Sequence, residues 1–268
     1  MDNQVDSDIL LSEMSDGILR LTLNDQQRRN VLSEMMLAQL SEAFSKAAFD
    51  SSVRVVVLAA NGPVFSAGHD LKEITAARAR ADNGQAYFKL LFDTCASLMQ
   101  LIVNNPKPVI AEVAGIATAA GCQLVASCDL AMATESSLFA TPGVNLGLFC
   151  STPMVALSRN VANKHAMEML LTGDMISAER AQQIGLINQA LTADELTEKT
   201  MEIAAKIASK SSMTLAVGKR AFYGQAEIPL ADAYIYASQV MVDNMLKRDA
   251  EEGIGAFIEK RRPDWQDQ

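Results

Sequence analysis

Only two histidines, His69 and His165, and four cysteines, Cys95, Cys122, Cys128 and Cys150, occur in 268 residues. No two cysteines are spaced as C-x-x-C, which excludes the ligand pattern of a structural zinc site and of a thioredoxin-like couple. The cysteines lie in apolar segments and read as reduced, buried thiols. Basic charge is scarce too: 23 Lys and Arg against 32 Asp and Glu give a net charge of −9. A general nucleic-acid binder needs a basic field, so that class is excluded. An anionic small ligand is not, because the charge of a site is local. No run reaches the roughly 18 consecutive apolar residues of a membrane span. The acidic start Met1-Asp2-Asn3-Gln4-Val5-Asp6 lacks the basic and apolar regions of a secretory signal. These absences predict a cytoplasmic protein with neither membrane nor nucleic acid as partner. What is present, 49% apolar and 21% charged residues, suits a globular chain with a sizeable core.

The first part of the chain alternates strand and helix patterns. Ile18–Leu23 alternates apolar and polar residues, as a half-buried strand does. Asn24 to Asn30 is a polar turn, and Ser33 is placed to cap a helix reaching about Phe49. An apolar strand follows at 54–60, then the turn Asn61-Gly62-Pro63. Residues 72–85 are polar and rich in Ala and Arg, which predicts a helical lid or loop. A long helix is expected from Gln85 to about Val103, stopped by Asn104-Asn105-Pro106-Lys107-Pro108. Val109–Val113 reads as a strand, Ala119 to Cys128 as a short buried helix, and Leu130–Ala133 as another strand. Ser177 begins a helix that Gly185 ends. Thr192-Ala193-Asp194-Glu195 is a capping box, and the helix after it carries Leu196, Ile203 and Ile207 on one stripe. The pattern is helical from there to Lys260. This order predicts an α/β core followed by a helical C-terminal region.

Two turns built of small residues carry the most chemical information. Val64-Phe65-Ser66-Ala67-Gly68-His69-Asp70-Leu71 follows the strand at 54–60. Thr118-Ala119-Ala120-Gly121-Cys122-Gln123-Leu124 follows Val109–Val113. Small residues let another group approach the backbone. Two exposed backbone N–H groups, one at a helix start, can form an oxyanion hole.

Further segments fall in a fixed order around these turns. Asn30-Val31-Leu32 and Lys107-Pro108-Val109-Ile110-Ala111 flank the first. Cys128-Asp129, Phe139-Ala140-Thr141-Pro142, Leu171-Thr172-Gly173 and Gly185-Leu186 follow the second, with Glu252–Lys260 at the tail. Together they resemble the crotonase family, also called enoyl-CoA hydratase/isomerase, over nearly the whole chain. Within it they look like the enoyl-CoA hydratase domain-containing members whose first loop reads Gly-His-Asp-Leu. The resemblance implies an α/β fold: a ββα spiral core over residues 1–196 and a helical trimerisation region over 197–268. It implies a homotrimer or a hexamer and an acyl-CoA substrate, with coenzyme A as part of the substrate and neither a separate cofactor nor a metal. It gives the thioester oxygen to the N–H groups of His69 and Ala120. Ala67, Gly68, Asp70, Leu71 and Gly121 would line the coenzyme A pocket. Arg28, Arg29 and Lys72 would meet its phosphates, and Phe257 and Lys260, from a neighbouring subunit, would close over the nucleotide.

The chain departs from that pattern at two positions. Family hydratases carry two glutamates, and here those positions are Gln123 and Gly143. A positioned acid or base is worth about 10²–10⁴ in rate, and an oxyanion-hole donor about 10²–10³. The sequence therefore keeps the means to polarise a thioester and stabilise its enolate, and lacks those that move protons. An enzyme of the hydratase/isomerase-type lyase class with doubtful hydratase chemistry is expected. The alternatives are acyl-CoA decarboxylation using His69 and non-catalytic acyl-CoA binding. Gln123 either orients a water or satisfies buried hydrogen bonds, and His69 is either a loop residue or a working imidazole. Cys150 reads as a packed thiol, Asp70 and Glu73 as local helix-start charges, and Asp129 as the tie for the end of the buried helix.

Overall fold

The structure, a computed structural model, describes residues 8–268, so the acidic start at 1–6 lies outside it. A hairpin opens the described chain: β1 (Leu10–Ser15) and β2 (Ile18–Leu23) turn at Asp16 and Gly17, both at positive φ. α1 (Glu34–Phe49) begins at Ser33, whose hydroxyl accepts the Met36 N–H. Then come β3 (Val55–Ala60), β4 (Val64–Ser66), α2 (Leu71–Ala77) and α3 (Gln85–Val103). β5 (Val109–Val113), β6 (Ile116–Thr118) and α4 (Ala120–Ser127) form the next unit, followed by β7 (Leu130–Thr134), β8 (Leu138–Ala140) and α5 (Pro153–Asn160). α6 (Asn163–Thr172), β9 (Ile176–Ser177), α7 (Ala178–Gln183) and β10 (Gln189–Leu191) close the mixed part. α8 (Ala193–Ala208), α9 (Ser212–Gln225), α10 (Leu230–Met245) and α11 (Arg248–Glu259) complete the chain.

Two sheets organise these elements. The larger runs β1-β2-β3-β5-β7-β10 and is parallel beyond the hairpin. The smaller runs β4-β6-β8-β9, and its first three strands are parallel. Three successive passes of the chain each lay one strand in the large sheet and one in the small sheet before a helix returns. That is the ββα spiral that the resemblance implies. β3 and β5 are buried on both faces, which is why Val-Val-Val and Val-Ile-Ala read as continuous apolar runs.

The sequence reading needs correction in the small sheet. Val64–Ser66 is a strand rather than part of a turn, and Thr118 ends one. Strands of two or three residues are too short to show a period of two. The boundary at 196/197 falls inside α8, which joins the core. Its Leu196, Thr200, Ala204 and Ala208 are buried, and Ile203 and Ile207 flank the contact with Ile18, Val55, Val57 and Ile110. α3 is the one helix among the described residues long and apolar enough to cross a membrane by length and composition. Its buried residues, Tyr87, Leu91, Cys95, Leu98, Met99 and Ile102, recur at helical spacing and face the core.

A buried polar node fastens the C-terminal helices to the spiral. Lys219 of α9 donates to Asp129 (2.6 Å) and to the carbonyls of Ile102 (3.0 Å) and Lys107 (3.1 Å). Asp129 also accepts the Tyr223 hydroxyl (2.9 Å) and the Val109 N–H (2.7 Å). Asp129 thus ties the end of α4 to the start of β5, and both to α9. Asp129→Ala leaves a buried ammonium without its counter-charge. It should cost about 3–5 kcal/mol in urea unfolding, and Lys219→Met, which leaves an anion that still accepts two hydrogen bonds, should cost less.

Candidate active site

β4, β6 and β8 lie side by side and parallel, so their carboxyl ends deliver Ala67, Ala119 and Thr141 to one edge of the small sheet. Such an edge is the usual place for a ligand in parallel α/β sheets. The segments are pressed together there. A Cβ on Gly121 would overlap the Ser66 carbonyl oxygen, and one on Gly68 (φ +87°) would lie 3.0 Å from the Ala119 Cβ and 3.2 Å from the Ala120 nitrogen. The Leu32 N–H donates to the Gly68 carbonyl (2.8 Å), the Ala67 N–H to Arg29 (3.1 Å) and the Ala119 N–H to Ala140 (2.9 Å). The bridge between Leu32 and His69 is made through the neighbours of His69, so its own N–H is not used. Ala120 is the first residue of α4, where an N–H has no intrahelical acceptor. Among the described residues neither of these two N–H groups has a protein acceptor. Ala119, which aims the second, is held at φ 51° and ψ −120°.

Three polar side chains are carried by the segments around the N–H pair: His69 and Thr141 follow β4 and β8, and Gln123 lies in the first turn of α4. The His69 Nδ1 lies 3.3 Å from the Leu32 carbonyl oxygen, and a carbonyl only accepts, so Nδ1 carries the ring proton. Nε2 is buried without a partner, and the Phe92 ring stands edge-on at 5.5 Å. Burial holds the imidazole below its ordinary pKa, outweighing the bond to Leu32. Gln123 is 4% exposed and its side-chain oxygen has no partner. The hydroxyl of Thr141, fully buried, has none either.

Gly143 does not point into a vacancy. Its N–H faces the Cys150 sulfur at 3.3 Å, and a Cβ there would lie 2.9 Å from both that sulfur and the Leu148 carbonyl oxygen. The 148–150 turn closes over the position. Burial pushes the Cys150 thiol up and the Cys122 thiol up to about 12, so neither is a thiolate nucleophile at neutral pH.

The residues expected around coenzyme A divide. Arg28 lies 2.7 Å from Asp25 and 3.3 Å from Asp70, so its charge is already engaged. Asp70 caps α2 by accepting the Lys72 and Glu73 N–H groups. Arg29, Leu71 and Lys72 are exposed beside the first loop, and neither Arg29 nor Lys72 forms an ion pair among the described residues. Phe257 and Lys260 stand exposed at the end of α11, and no hydrogen bond or ion pair among the described residues joins either to the loops. Three contributors escaped the sequence reading. Phe92 carried no motif, and Thr141 and Asn30 were visible only as parts of markers. Asn30 is fully buried at φ 50° and donates to the Asn61 (2.9 Å) and Val64 (2.7 Å) carbonyls, fixing the entry to β4.

A family model described as enoyl-CoA hydratase/isomerase matches residues 13–268. The enoyl-CoA hydratase domain-containing protein 3, mitochondrial, of Rattus norvegicus is 50% identical over 254 residues, 95% of this chain and 83% of that one. The 2,3-dehydroadipyl-CoA hydratase of Escherichia coli (strain K12) is 33% identical over 97% of this chain and 98% of its own. The crystal structure of human enoyl coenzyme A hydratase domain-containing protein 3 superposes with a TM-score of 0.91 at 48% identity, covering 96% of this chain and 100% of that one. The rat, mouse and human relatives are all designated mitochondrial, which corrects the expectation of a cytoplasmic protein. That expectation rested on the acidic first residues and buried thiols, and neither property distinguishes the two compartments.

Two measurements test the geometry. Ala119→Gly should stabilise the protein by about 1 kcal/mol in urea unfolding, because only glycine adopts that backbone freely. The His69 ring should titrate below 6.5 when followed by NMR. Its unfolded form takes up a proton near pH 6.5 and the folded form does not. Its contribution is therefore fully present above that pH and declines as the pH falls below it towards the folded value.

Proposed function

The chain belongs to the enoyl-CoA hydratase/isomerase family, and on that premise we propose that it binds an acyl-coenzyme A thioester and polarises its carbonyl through the N–H groups of His69 and Ala120. One observation carries this reading: both N–H groups lack a protein acceptor, on loops packed against each other at the carboxyl edge of the small sheet. Two donors held there stabilise an enolate oxygen without reorganising. The exposed cations Arg29 and Lys72 suit the phosphates of coenzyme A, with the backbone of Ala67 to Leu71 alongside. Arg28, bound to two carboxylates, positions the loop instead.

Proton transfer is the weak part of the site. Gln123 is neutral at any working pH, and Gly143 is sealed by the 148–150 turn. Asp70 is spent on capping α2, and Glu73 accepts the Glu34 N–H and the Tyr87 hydroxyl. The His69 ring, protonated at Nδ1 only, has no proton at Nε2 to deliver. That weighs against decarboxylation with imidazole as the acid. Family membership supports an enzyme of the hydratase/isomerase type, and non-catalytic binding is the competing outcome.

Self-association completes the proposal. Tyr234, Ile235, Met241 and Leu246 of the α10 region and Phe257 of α11 leave more than half of their surfaces in solvent. So much exposed apolar surface marks an interface, which supports a homotrimer or hexamer with Phe257 and Lys260 reaching a neighbouring subunit's nucleotide.

Calorimetry with acetyl-CoA and crotonyl-CoA should give binding to the full-length protein, and no heat with either would sink the reading. Hydration of crotonyl-CoA should run slower than in a carboxylate-bearing relative by about 10²–10⁴ for each missing acid or base. Gln123→Glu should raise it. Adding Gly143→Glu should raise it no further, because the side chain meets the Leu148 carbonyl. Light scattering should report a trimer or hexamer, and Ile235→Glu should shift it towards monomer.

A further inference from the structure

α11 carries Phe257 and Lys260, yet it has almost no core of its own. Asp249 and Ala256 are its only buried residues, and Ile254, Phe257 and Ile258 stand in solvent. Apolar packing, the usual support of a helix, therefore does little to fix its direction. Polar contacts with the residues that follow fix it instead. Lys260 takes a left-handed conformation (φ 57°), which turns the chain back along the helix. Arg261 then donates both arms of its guanidinium to Glu252 (2.5 and 2.8 Å), and Asp264 gives its N–H to the same carboxylate (2.7 Å). The Trp265 ring lies against Gly253, where a Cβ would come within 3.0 Å of it. At the start of the helix Asp249, 2% exposed, accepts the N–H groups of Gln266 (2.8 Å) and Asp267 (3.0 Å). Its own N–H donates to a Gln268 backbone oxygen (3.0 Å).

The same segment is anchored on the core. Asp267 accepts from the Ser212 N–H at the start of α9 (2.6 Å) and from Arg54 (3.0 Å), and the Trp265 indole donates to the Ser209 carbonyl (3.0 Å). Arg54 immediately precedes β3 and also donates to the carbonyls of Ala208 and Lys210 (2.6 Å each), closing the end of α8. Residues 261–268 thus run as a splint, bonded along α11 on one side and to the α8–α9 turn and Arg54 on the other. A buried carboxylate is costly unless its hydrogen bonds are kept, so Asp249 holds the splint to one geometry. We propose that Asp249 and Glu252 are positioning residues: through the splint they set the angle of α11, and so place the Phe257 ring and the Lys260 ammonium for the nucleotide half of an acyl-coenzyme A bound to a neighbouring subunit. The ring offers a face on which a base stacks, and the ammonium a charge for a phosphate. The inference rests on the acyl-CoA reading and on subunit association, and adds what aims these two residues.

The test is calorimetry with acetyl-CoA on the full-length oligomer. Asp249→Asn keeps the side chain's shape and turns one acceptor into a donor that faces an N–H. Asp267→Ala cuts the splint from Arg54 and α9 at an exposed residue. Each should weaken acetyl-CoA binding about tenfold, the yield of one charge-assisted hydrogen bond. Phe257→Ala combined with Lys260→Met should weaken it at least as much. In that background neither splint variant should weaken it further, because residues that act through others are not additive with them. Light scattering should give an unchanged mass. The proposal is wrong if the splint variants bind acetyl-CoA as the unaltered protein does, or if their effect persists in the Phe257→Ala, Lys260→Met background. It is also wrong if they dissociate the oligomer, since the splint would then serve assembly. Thermal unfolding identifies a variant that fails to fold, and the other, or Glu252→Gln at the far end of the splint, then decides. Absence of binding by the unaltered protein would remove the acyl-CoA reading as well.

Discussion

The structure depends on one close approach. Gly121 lies against Ser66 with no room for a Cβ, and Gly68, at positive φ, lies against Ala119 and Ala120 with little. Two turns of the spiral are thereby locked at the distance where backbone rather than side chain lines the edge of the small sheet. Everything chemical at the site follows from that contact. It leaves the His69 and Ala120 N–H groups without protein acceptors, and it brings His69, Gln123 and Thr141 within one residue or one helical turn of a single alanine. The strained backbone of Ala119 is the local cost of aiming the second N–H. A fold that relaxed it would turn the start of α4 away from β4.

Much of this was legible in the sequence. Ser33 and the box at Thr192 cap α1 and α8 as written, and Asn104 to Pro108 ends α3 where the prolines require. The small-residue turns marked where two segments approach closely, and Gly68 and Gly121 are explained by that contact. What escaped has common physical reasons. Strands of two or three residues carry no period, so β4, β6 and β8 were hidden inside turns and loops. Thr141 was legible only as part of a marker, and its buried hydroxyl without a partner is a property of the folded state alone. Arg28 looked free in the sequence, because its two carboxylate partners, three and 42 residues away, are brought together only by the fold.

Gly143 shows why substitution at a site is more than deletion. The sequence reported a missing carboxylate. The structure shows the Leu148 carbonyl and the Cys150 sulfur occupying the approach to that position. The turn at 148–150 and the glycine are mutually dependent: the turn fits because there is no side chain, and no side chain fits while the turn stays. Restoring the residue would not restore the geometry. The absence of a side chain at position 143 is therefore built into the loop's path as well as into the sequence.

The same reasoning extends to the C-terminal helices. Asp129 lies two residues past the end of α4, and its carboxylate is held by Lys219 and Tyr223 from α9 and by Val109 at the start of β5. Lys219 is buried enough that desolvation lowers its pKa, with the Asp129 charge opposing the shift. It stays in place because three acceptors surround its ammonium. α4 presents Ala120 and Gln123 at its amino end and is pinned near its carboxyl end by this node. Its position along its own axis is thus set from two sides, by the glycine contact at one end and the α9 node at the other. The exposed apolar surface that supports subunit association lies on α10 and α11, beyond that node. Through Asp129, α9 is hydrogen-bonded to the end of α4, the helix that begins with the unpaired Ala120 N–H. The helical C-terminal region is therefore part of the site's support rather than an appendage to it.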